Sequence, residues 1–594
     1  MTSKLVTRSD LKKAFRIKGL PGDILASCFM CVVGLNKINK TYSRISSYYG
    51  RDFTSALLNE LNVTFEINEK ELDNIPQEGP FIVTSNHPFG AIDGIILIHI
   101  FSSLRPDIRF MANFVLSYIP NIKEYIVPVN PFSDMPELHK SFGGLREAMQ
   151  WLAAGKSLAL FPAGEVSTNY GSSKVRDKEW QHSVMKLVKN AQVPVVPVYF
   201  HGSNSKCFHR LGRIHPLLRT LRLPRELLNK RDRKIALRIG RPIMPSETST
   251  LKTLSDYGSY LRARTYAMEA NLLKFEKECV TREMLPIALP RNRRALQKEI
   301  NILDAKDHLF TTGNFSCYLV SADSVPLMLH ELGRRREEAF RAIGEGTGKA
   351  LDLDDYDTYY KHLILWDNHK SRLVGAYRLG FGSEIMESRG IRGFYSSTLF
   401  HYEKPYHDVL GHSIELGRSF VVREYQREAL PLMLLIKGLF YTVVKYPAVK
   451  YLTGPVSISA WYPEFYRSLI VYYLRKKHSL SELERLAVPR HPFVPDFLRS
   501  DPEFLLLDKM ESIEKFDRFL MRLSNNDVRM PTLVKKYLKI NCRIIACNVD
   551  PDFNYCVDGL VLLDLADIPR SEIEVLSKGE PNRIKVLRRF GYEA

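Results

Sequence analysis

His87 and Asp93 are the pair in this chain best suited to proton transfer. They stand in Ser85-Asn86-His87-Pro88-Phe89-Gly90-Ala91-Ile92-Asp93, behind the apolar run Phe81-Ile82-Val83-Thr84 and ahead of Ile95-Ile96-Leu97-Ile98. The histidine therefore falls where a buried strand ends, with a carboxylate about one helical turn further on. An imidazole so placed takes the proton of a hydroxyl, while the aspartate fixes its tautomer and stabilises the imidazolium. Taken alone, the pair also fits a polar loop whose histidine caps a helix. A second set lies downstream: Asp354, Asp357, Arg378, Glu415 and Arg418. An amine is protonated at neutral pH and must pass a proton to a carboxylate before it can act as a nucleophile. Arg378 and Arg418 either grip a carboxylate at two points or lock these acids into ion pairs.

The elements that must position these residues alternate in type. Strand-like runs are expected at Phe81–Thr84, Ile108–Ala112, Ser157–Phe161, Val193–His201 and Ile235–Ile239, with helices at Phe142–Ala154 and Glu179–Asn190. Such alternation predicts an α/β layer fold. A second alternation follows, with strands at Phe315–Val320, Arg372–Leu379, Arg543–Cys547 and Leu560–Leu563, and helices at Val325–Ile343 and Leu430–Lys445. At 594 residues the chain exceeds one ordinary core. The reading is a basic helical segment over 1–60, an α/β domain over 61–280, a linker over 281–300 marked by Pro286, Pro290 and Arg291-Asn292-Arg293-Arg294, and a second α/β domain over 301–594.

A net charge of +19 and a pI near 9.4 favour polyanionic partners. No zinc-finger spacing and no RNA-binding aromatic signature accompanies the basic residues, so nucleic acid is not expected. Twelve Lys/Arg crowd between Lys206 and Arg241, opposed only by Glu226 and Asp232, and leucines at 217, 218, 221, 223 and 227 run among them. That mixture suits lipid head groups or an acidic carrier protein better than a merely solvated face. Scattered cysteines suggest a reducing compartment. Cys28 and Cys31 lie in an apolar run with no second pair, so buried thiols are expected rather than metal ligands. His401, His407 and His412 lack a spaced carboxylate partner and are expected to be surface or packing residues, so no metal site is predicted. No signal peptide is read at the N-terminus. The Ile24–Leu35 run falls short of the roughly 20 residues a spanning helix needs, so it is a core helix or a segment resting on a membrane.

The first pair is part of an ordered set. After the Asn86–Asp93 box come Phe142-Gly143-Gly144-Leu145-Arg146, then Phe161-Pro162-Ala163-Gly164-Glu165-Val166-Ser167, then Val193-Pro194-Val195-Val196-Pro197-Val198. This order resembles the glycerolipid acyltransferase superfamily over roughly residues 60–245. The resemblance implies that His87 activates an acceptor hydroxyl, that Asp93 orients it, that Arg146, Gly164 and Glu165 shape the acceptor site, and that a fatty acyl thioester is the donor. Two departures matter. His87 and Asp93 are separated by five residues rather than four, as in a haemolysin-like branch, so the loop must bulge or start its helix later. Where the family carries a phosphate-binding arginine this chain has Val166, with Glu165 beside it. Losing a cation and gaining an anion argues for an acceptor with an ammonium group instead of a phosphate, unless Lys174 or Arg176 restores the charge.

The second set, with Arg336, Phe340, Gly375-Ala376-Tyr377-Arg378 and Glu415-Leu416-Gly417-Arg418, resembles acyl-homoserine-lactone synthases and the related ornithine N-acyltransferases of the GNAT-like superfamily. Pro531–Leu538 with Asp550, Phe553 and Asp558 looks like the ornithine branch. Together the halves resemble bifunctional ornithine lipid synthases of bacteria. The resemblance implies N-acylation of ornithine by a 3-hydroxyacyl chain on acyl carrier protein, with Glu415 as base or amine-positioning group and Asp354 and Asp357 holding the cationic substrate, then O-acylation of the lyso-ornithine lipid. It also implies no cofactor, an anionic membrane surface as partner, and a place at the cytoplasmic face of the inner membrane. The rival readings are the same chemistry on glycine, serine or lysine, a lysophosphatidate acyltransferase with an inactive C-terminal domain, and a membrane scaffold without activity.

Overall fold

The computed structural model describes residues 4–15, 19–129, 138–169, 174–272, 284–507, 509–578 and 583–592. The chain divides into two units: Met1–Lys274 with Phe497–Asp527, and Phe275–Asp496 with Val528–Ala594. Phe497–Asp527 thus belongs to the first unit although it lies far along the C-terminal half. Its attachment is specific: Ser500 Oγ donates to Ala263 O at 2.9 Å, and Arg499 pairs with Glu269. Of the expected linker 281–300, residues 281–283 lie outside the described set, and a helix begins at Arg293.

The first unit holds a seven-stranded sheet. Its strands are β1 (Thr64–Glu66), β2 (Ile82–Ser85), β3 (Arg109–Asn113), β4 (Ile126–Val129), β5 (Leu158–Leu160), β6 (Val195–Phe200) and β7 (Lys234–Ile239). The order is β1-β7-β6-β2-β5-β3-β4, parallel at every pairing except β6 with β7. Five of these strands fall on the expected runs, whereas β1 has one apolar residue in three and β4 is a four-residue run interrupted by Pro128. Side chains alternate across a strand, and here both faces are covered. Val83, Val196 and Val198 enter one core, while Ile82, Leu158 and Val195 enter the other. The helix Ala91–Leu104 fills the first core with Ile92, Ile96 and Phe101. The helix His182–Ala191 fills the second with Val184, Met185 and Val188. β2 sits centrally, so its C-terminal end, where the His87 loop departs, opens at the edge of a fully packed sheet. Clefts outside the carboxyl ends of parallel strands are the usual ligand sites of such sheets.

The second unit holds an eight-stranded sheet built from β8 (His308–Thr312), β9 (Phe315–Val320), β10 (Lys361–Asp367), β11 (Arg372–Phe381), β13 (Ser413–Val421), β14 (Tyr451–Ile458), β16 (Arg543–Asp550) and β17 (Cys556–Asp564). The short β12 (Phe400–Tyr402) and β15 (Ala487–Pro489) form a separate antiparallel pair. The order of the large sheet is β16-β17-β14-β13-β11-β10-β9-β8, and only β13 with β14 is parallel. A parallel pair needs a crossover, and the helix Leu430–Lys445 supplies it. The parallel pairing runs only from Ser413↔Tyr451 to Glu415↔Thr453. Beyond that point β13 and β14 part, although both strands continue. Among the described residues no helix is long and apolar enough to cross a membrane. Cys28 and Cys31 are exposed, against the expectation of buried thiols, because their helix turns Ala26, Met30 and Val33 inward and leaves the opposite face open.

Candidate functional site

In the first unit the His87 loop is pinned before it turns. Asn86 Nδ2 donates to Phe200 O at 2.9 Å, and Phe200 N donates back to Asn86 Oδ1 at 2.7 Å, tying the loop to β6. His87 Nδ1 then lies 3.0 Å from Asp93 Oδ2. The additional residue between them costs no geometry because Gly90 adopts φ 94°, ψ −129°, which lets the helix start at Ala91 with Asp93 in its first turn. Asp93 Oδ2 also accepts the amides of Phe89 at 3.0 Å and Gly90 at 3.1 Å. This carboxylate is fully buried, so Nδ1 carries the proton it donates and Nε2 is left as the acceptor. Among the described residues Nε2 has no hydrogen-bond partner, and the ring stacks on Phe161 with centroids 4.0 Å apart. A ring so held can take a proton from a hydroxyl brought to its Nε2.

A Cβ at Gly90 would meet Leu223 Cδ2 at 3.2 Å, in a backbone region other residues rarely adopt. Gly90→Ala is expected to cost about 1–3 kcal/mol and to lower ester formation more than amide formation. Thermal unfolding and the two separate transfer rates check both parts.

The F-P-A-G-E-V-S box meets this loop through Ser167, whose amide donates to His87 O at 2.8 Å. Ser167 Oγ donates to Asp177 Oδ1 at 2.5 Å, and Asp177 also accepts His87 N at 3.3 Å and Trp180 Nε1 at 3.2 Å. Burial pushes the Asp177 carboxyl up, against its hydrogen bonds from Ser167 and Trp180. Sequence reasoning missed Asp177. Its signal was a lone acid between Arg176 and Lys178, three residues before a tryptophan. Gly164 N donates to Phe161 O at 3.1 Å, forming the turn after β5. Glu165, expected to face a cationic acceptor, is instead held by Arg219 at 2.6 Å. A cation from the basic run thus stands beside Glu165, with Lys178 Nζ 4.0 Å away as well, while Lys174 donates to Leu498 O. Val166 is buried. Arg146 stands exposed on the helix Leu138–Ala153 and, among the described residues, bonds to none of His87, Asp93 or Glu165. Lys230 lies 4.4 Å over the Phe89 ring; burial pulls its ammonium down, with Glu226 and Asp93 opposing.

In the second unit the predicted acids and arginines do meet, as a buried ion-pair lattice. Asp357 binds Arg336 at 2.8 Å and Arg378 at 3.2 Å; Asp354 binds Arg378 and Arg418; Asp352 binds Arg418 at 3.1 Å. Burial pushes the Asp357 carboxyl up, yet Arg336 and Arg378 together hold it well below the carboxylate range. Arg378 is entirely buried under the rings of Tyr356, Tyr360 and Tyr395, where it ties Asp354 to Asp357. Glu415 accepts the Tyr360 hydroxyl and the amides of Tyr395 and Ser396, both at 2.9 Å. Its carboxylate is thus turned onto the Tyr395 loop and away from the open space nearby, unlike the base the sequence suggested.

That space is a cavity of about 80 Å3 where β13 and β14 part. Leu416 to Ser419 line one side, and Pro455 to Ser457 the other. At its root the two strands still touch: Gly454 sits at φ 145°, and a Cβ there would fall 2.1 Å from Leu416 O, so only glycine allows this approach. Arg418, at φ 49° in a bulge of β13, swings into the cavity between Tyr395 at 4.8 Å and Phe553 at 4.3 Å. Three carboxylates share the lining: Glu345, Asp550 and Asp558. Burial pushes Glu345 up to about 7, opposed by Ser457 Oγ, which donates to it at 2.8 Å. Burial, then the charges of Asp550 and Glu345, push Asp558 well above the carboxylate range. Glu345 had no signal in the sequence, since it follows the helix Pro326–Arg341 in an unremarkable Gly-Glu-Gly. Among the described residues no His/Cys/Asp/Glu cluster could hold a metal ion.

The chain matches two family models. One described as an acyltransferase matches residues 14–274, and one described as an acetyltransferase (GNAT) domain matches residues 335–436. A glycine N(alpha)-acyltransferase of Bacteroides thetaiotaomicron is 29% identical over 325 residues, 51% of this chain and 94% of that protein. A lyso-glycine lipid O-acyltransferase of Phocaeicola vulgatus is 27% identical over 244 residues, 40% of this chain and 85% of that protein. Among solved structures, the 1-acyl-sn-glycerophosphate acyltransferase of Thermotoga maritima aligns at TM-score 0.26 and 18% identity, covering 43% of this chain and 91% of that one. A CoA-dependent acyl-homoserine lactone synthase aligns at TM-score 0.22 and 13% identity, covering 46% and 89%. The chain is an acyl-transfer enzyme that joins an acyltransferase domain to a C-terminal GNAT domain.

Proposed function

We propose that the chain makes an aminolipid by two acyl transfers, first to the amine of ornithine and then to a hydroxyl of the chain so attached. In the first step, Glu345 accepts a proton from the substrate ammonium. The freed amine attacks the carbonyl of a 3-hydroxyacyl thioester on acyl carrier protein. The C–N bond forms, the C–S bond breaks, and the thiol leaves. Arg418 receives the amino acid's carboxylate, held in place by Asp352 and Asp354. In the second step, His87 Nε2 takes the proton of the 3-hydroxyl, whose oxygen attacks a second thioester while Asp93 stabilises the imidazolium; the C–O bond forms, the C–S bond breaks, and the imidazolium returns its proton to the departing thiolate.

The observation that carries the choice of amino acid is the surplus of acid in the cavity. Glu345, Asp550 and Asp558 face a single arginine already shared with two aspartates. The second ammonium of a diamino acid would draw these raised carboxyls into their charged form, and glycine brings no such group. The relatives' names favour a second reading, glycine as acceptor. Equal concentrations of ornithine and glycine, offered with a 3-hydroxyacyl carrier-protein thioester, separate the two. Ornithine amide is expected in at least tenfold excess; a dominant glycine amide would replace the proposed acceptor.

A further inference from the structure

We infer that the helical hairpin of Lys206–Ile214 and Pro216–Leu228 is a docking surface for an anionic lipid bilayer, seated over the ester-forming site. The hairpin is a reversal of ordinary surface design. On its second helix Arg219 and Glu226 point inward and are buried, while Leu217, Leu218 and Leu221, at 59%, 40% and 40% exposure, point outward. Ile214, at the end of the first helix, is 74% exposed. Leu221 lies four residues after Leu217 and three after Leu218, spacings that make neighbours on a helix surface, so these leucines form one patch. Lys206, Arg210, Arg213 and Arg225 are exposed around it. The neighbouring helix Gly19–Val33, which reaches Leu228 and Arg225 at Gly34, also turns apolar residues outward, with Ile24 at 65% and Val32 at 69%.

The underside of the hairpin is fastened to the catalytic loop. Leu223 lies against Gly90 and Arg219 holds Glu165, while Glu226 accepts Ser205 Oγ at 2.7 Å and ties the hairpin's two helices together. A bilayer gripped by the outer face would bring lipid-dissolved acceptor to the edge of the His87 loop. Charge complementarity alone would also suit an acidic protein. The protruding leucines decide between them, because apolar tips ringed by cations match acyl chains beneath anionic head groups.

The test is vesicle sedimentation of the full chain with phosphatidylglycerol/phosphatidylcholine and with pure phosphatidylcholine vesicles. Binding is expected to the anionic vesicles and to weaken with salt. Leu217→Glu/Leu221→Glu and, separately, Arg210→Gln/Arg213→Gln should each weaken it at least tenfold, on the order of fivefold per cation removed. If the leucine variant loses its thermal transition, the arginine variant decides. Undiminished vesicle binding by the folded variants overturns the inference. So does loss of binding to a purified acidic acyl carrier protein, or of a self-associated species in sedimentation velocity, while vesicle binding stays intact. The inference rests on the proposed O-acylation for its purpose but not for its readout. A chain that binds vesicles and makes no lipid fails only the former reading, and one that acylates without binding fails only this one.

Discussion

His87→Ala is expected to halt ester formation and leave the monoacylated amide accumulating, with O-acylation lowered by about 10²–10⁴-fold. The expectation follows from what the ring does and from what it does not support. His87 is anchored by its neighbours, through Asn86 to β6 and through its own backbone to Ser167 and Asp177, so truncating the side chain leaves the loop in place. Asp93 would lose one of three donors but keep the Phe89 and Gly90 amides. N-acylation proceeds in the other unit and should be unchanged. Asp93→Asn is expected to act differently. Its amide would disturb the capping of the helix at Gly90 as well as the tautomer of His87, so stability should fall together with ester formation. Separate assay of the two products, with thermal unfolding, distinguishes the cases.

Glu345→Gln is expected to lower amide formation by about 10²–10⁴-fold and to remove its rise with pH. In the wild type that rise should centre near 7, where Glu345 loses its proton. The same shift has a consequence for stability. The folded carboxyl binds its proton more tightly than the ordinary 4.5 of an unfolded chain. Between those values the native state holds more protons than the unfolded state, so this residue makes stability fall as pH rises from about 4.5 to 7 and no further above that. Glutamine removes the effect. The variant should unfold at a higher temperature than the wild type at pH 8, by a free energy on the order of 2–4 kcal/mol, and show little difference at pH 5. Melting curves and initial rates across that range check both limbs. A variant that keeps the rising rate limb would move the base to another residue.

Much of the architecture was legible because it is written in short periods. Ile82 and Val83 pack into opposite cores, and the apolar runs that mark β2, β5 and β6 are those of strands buried on both faces. The His87–Asp93 pair was legible for a related reason, since strand end, glycine and helix start follow one another within nine residues. What escaped depended on contacts distant in sequence. The salt partner of Glu165 is Arg219, 54 residues on. Glu345 matters because Ser457, 112 residues away, brings β14 against it. Glu415 looked like a base in a Glu-Leu-Gly-Arg string, but its two oxygens are filled by a loop twenty residues earlier. Phe497–Asp527 joins the first unit through Arg499 and Ser500, residues with no local mark of that destination.

Mass spectrometry of lipids from a bacterium that lacks aminolipids and expresses this chain tests the two-step account most directly. The account predicts a phosphorus-free, ninhydrin-positive lipid carrying one amide-linked and one ester-linked chain, replaced in the His87→Ala strain by the amide-linked species alone. A diacylated product persisting in His87→Ala, or a phosphorylated diacyl lipid in its place, would contradict it.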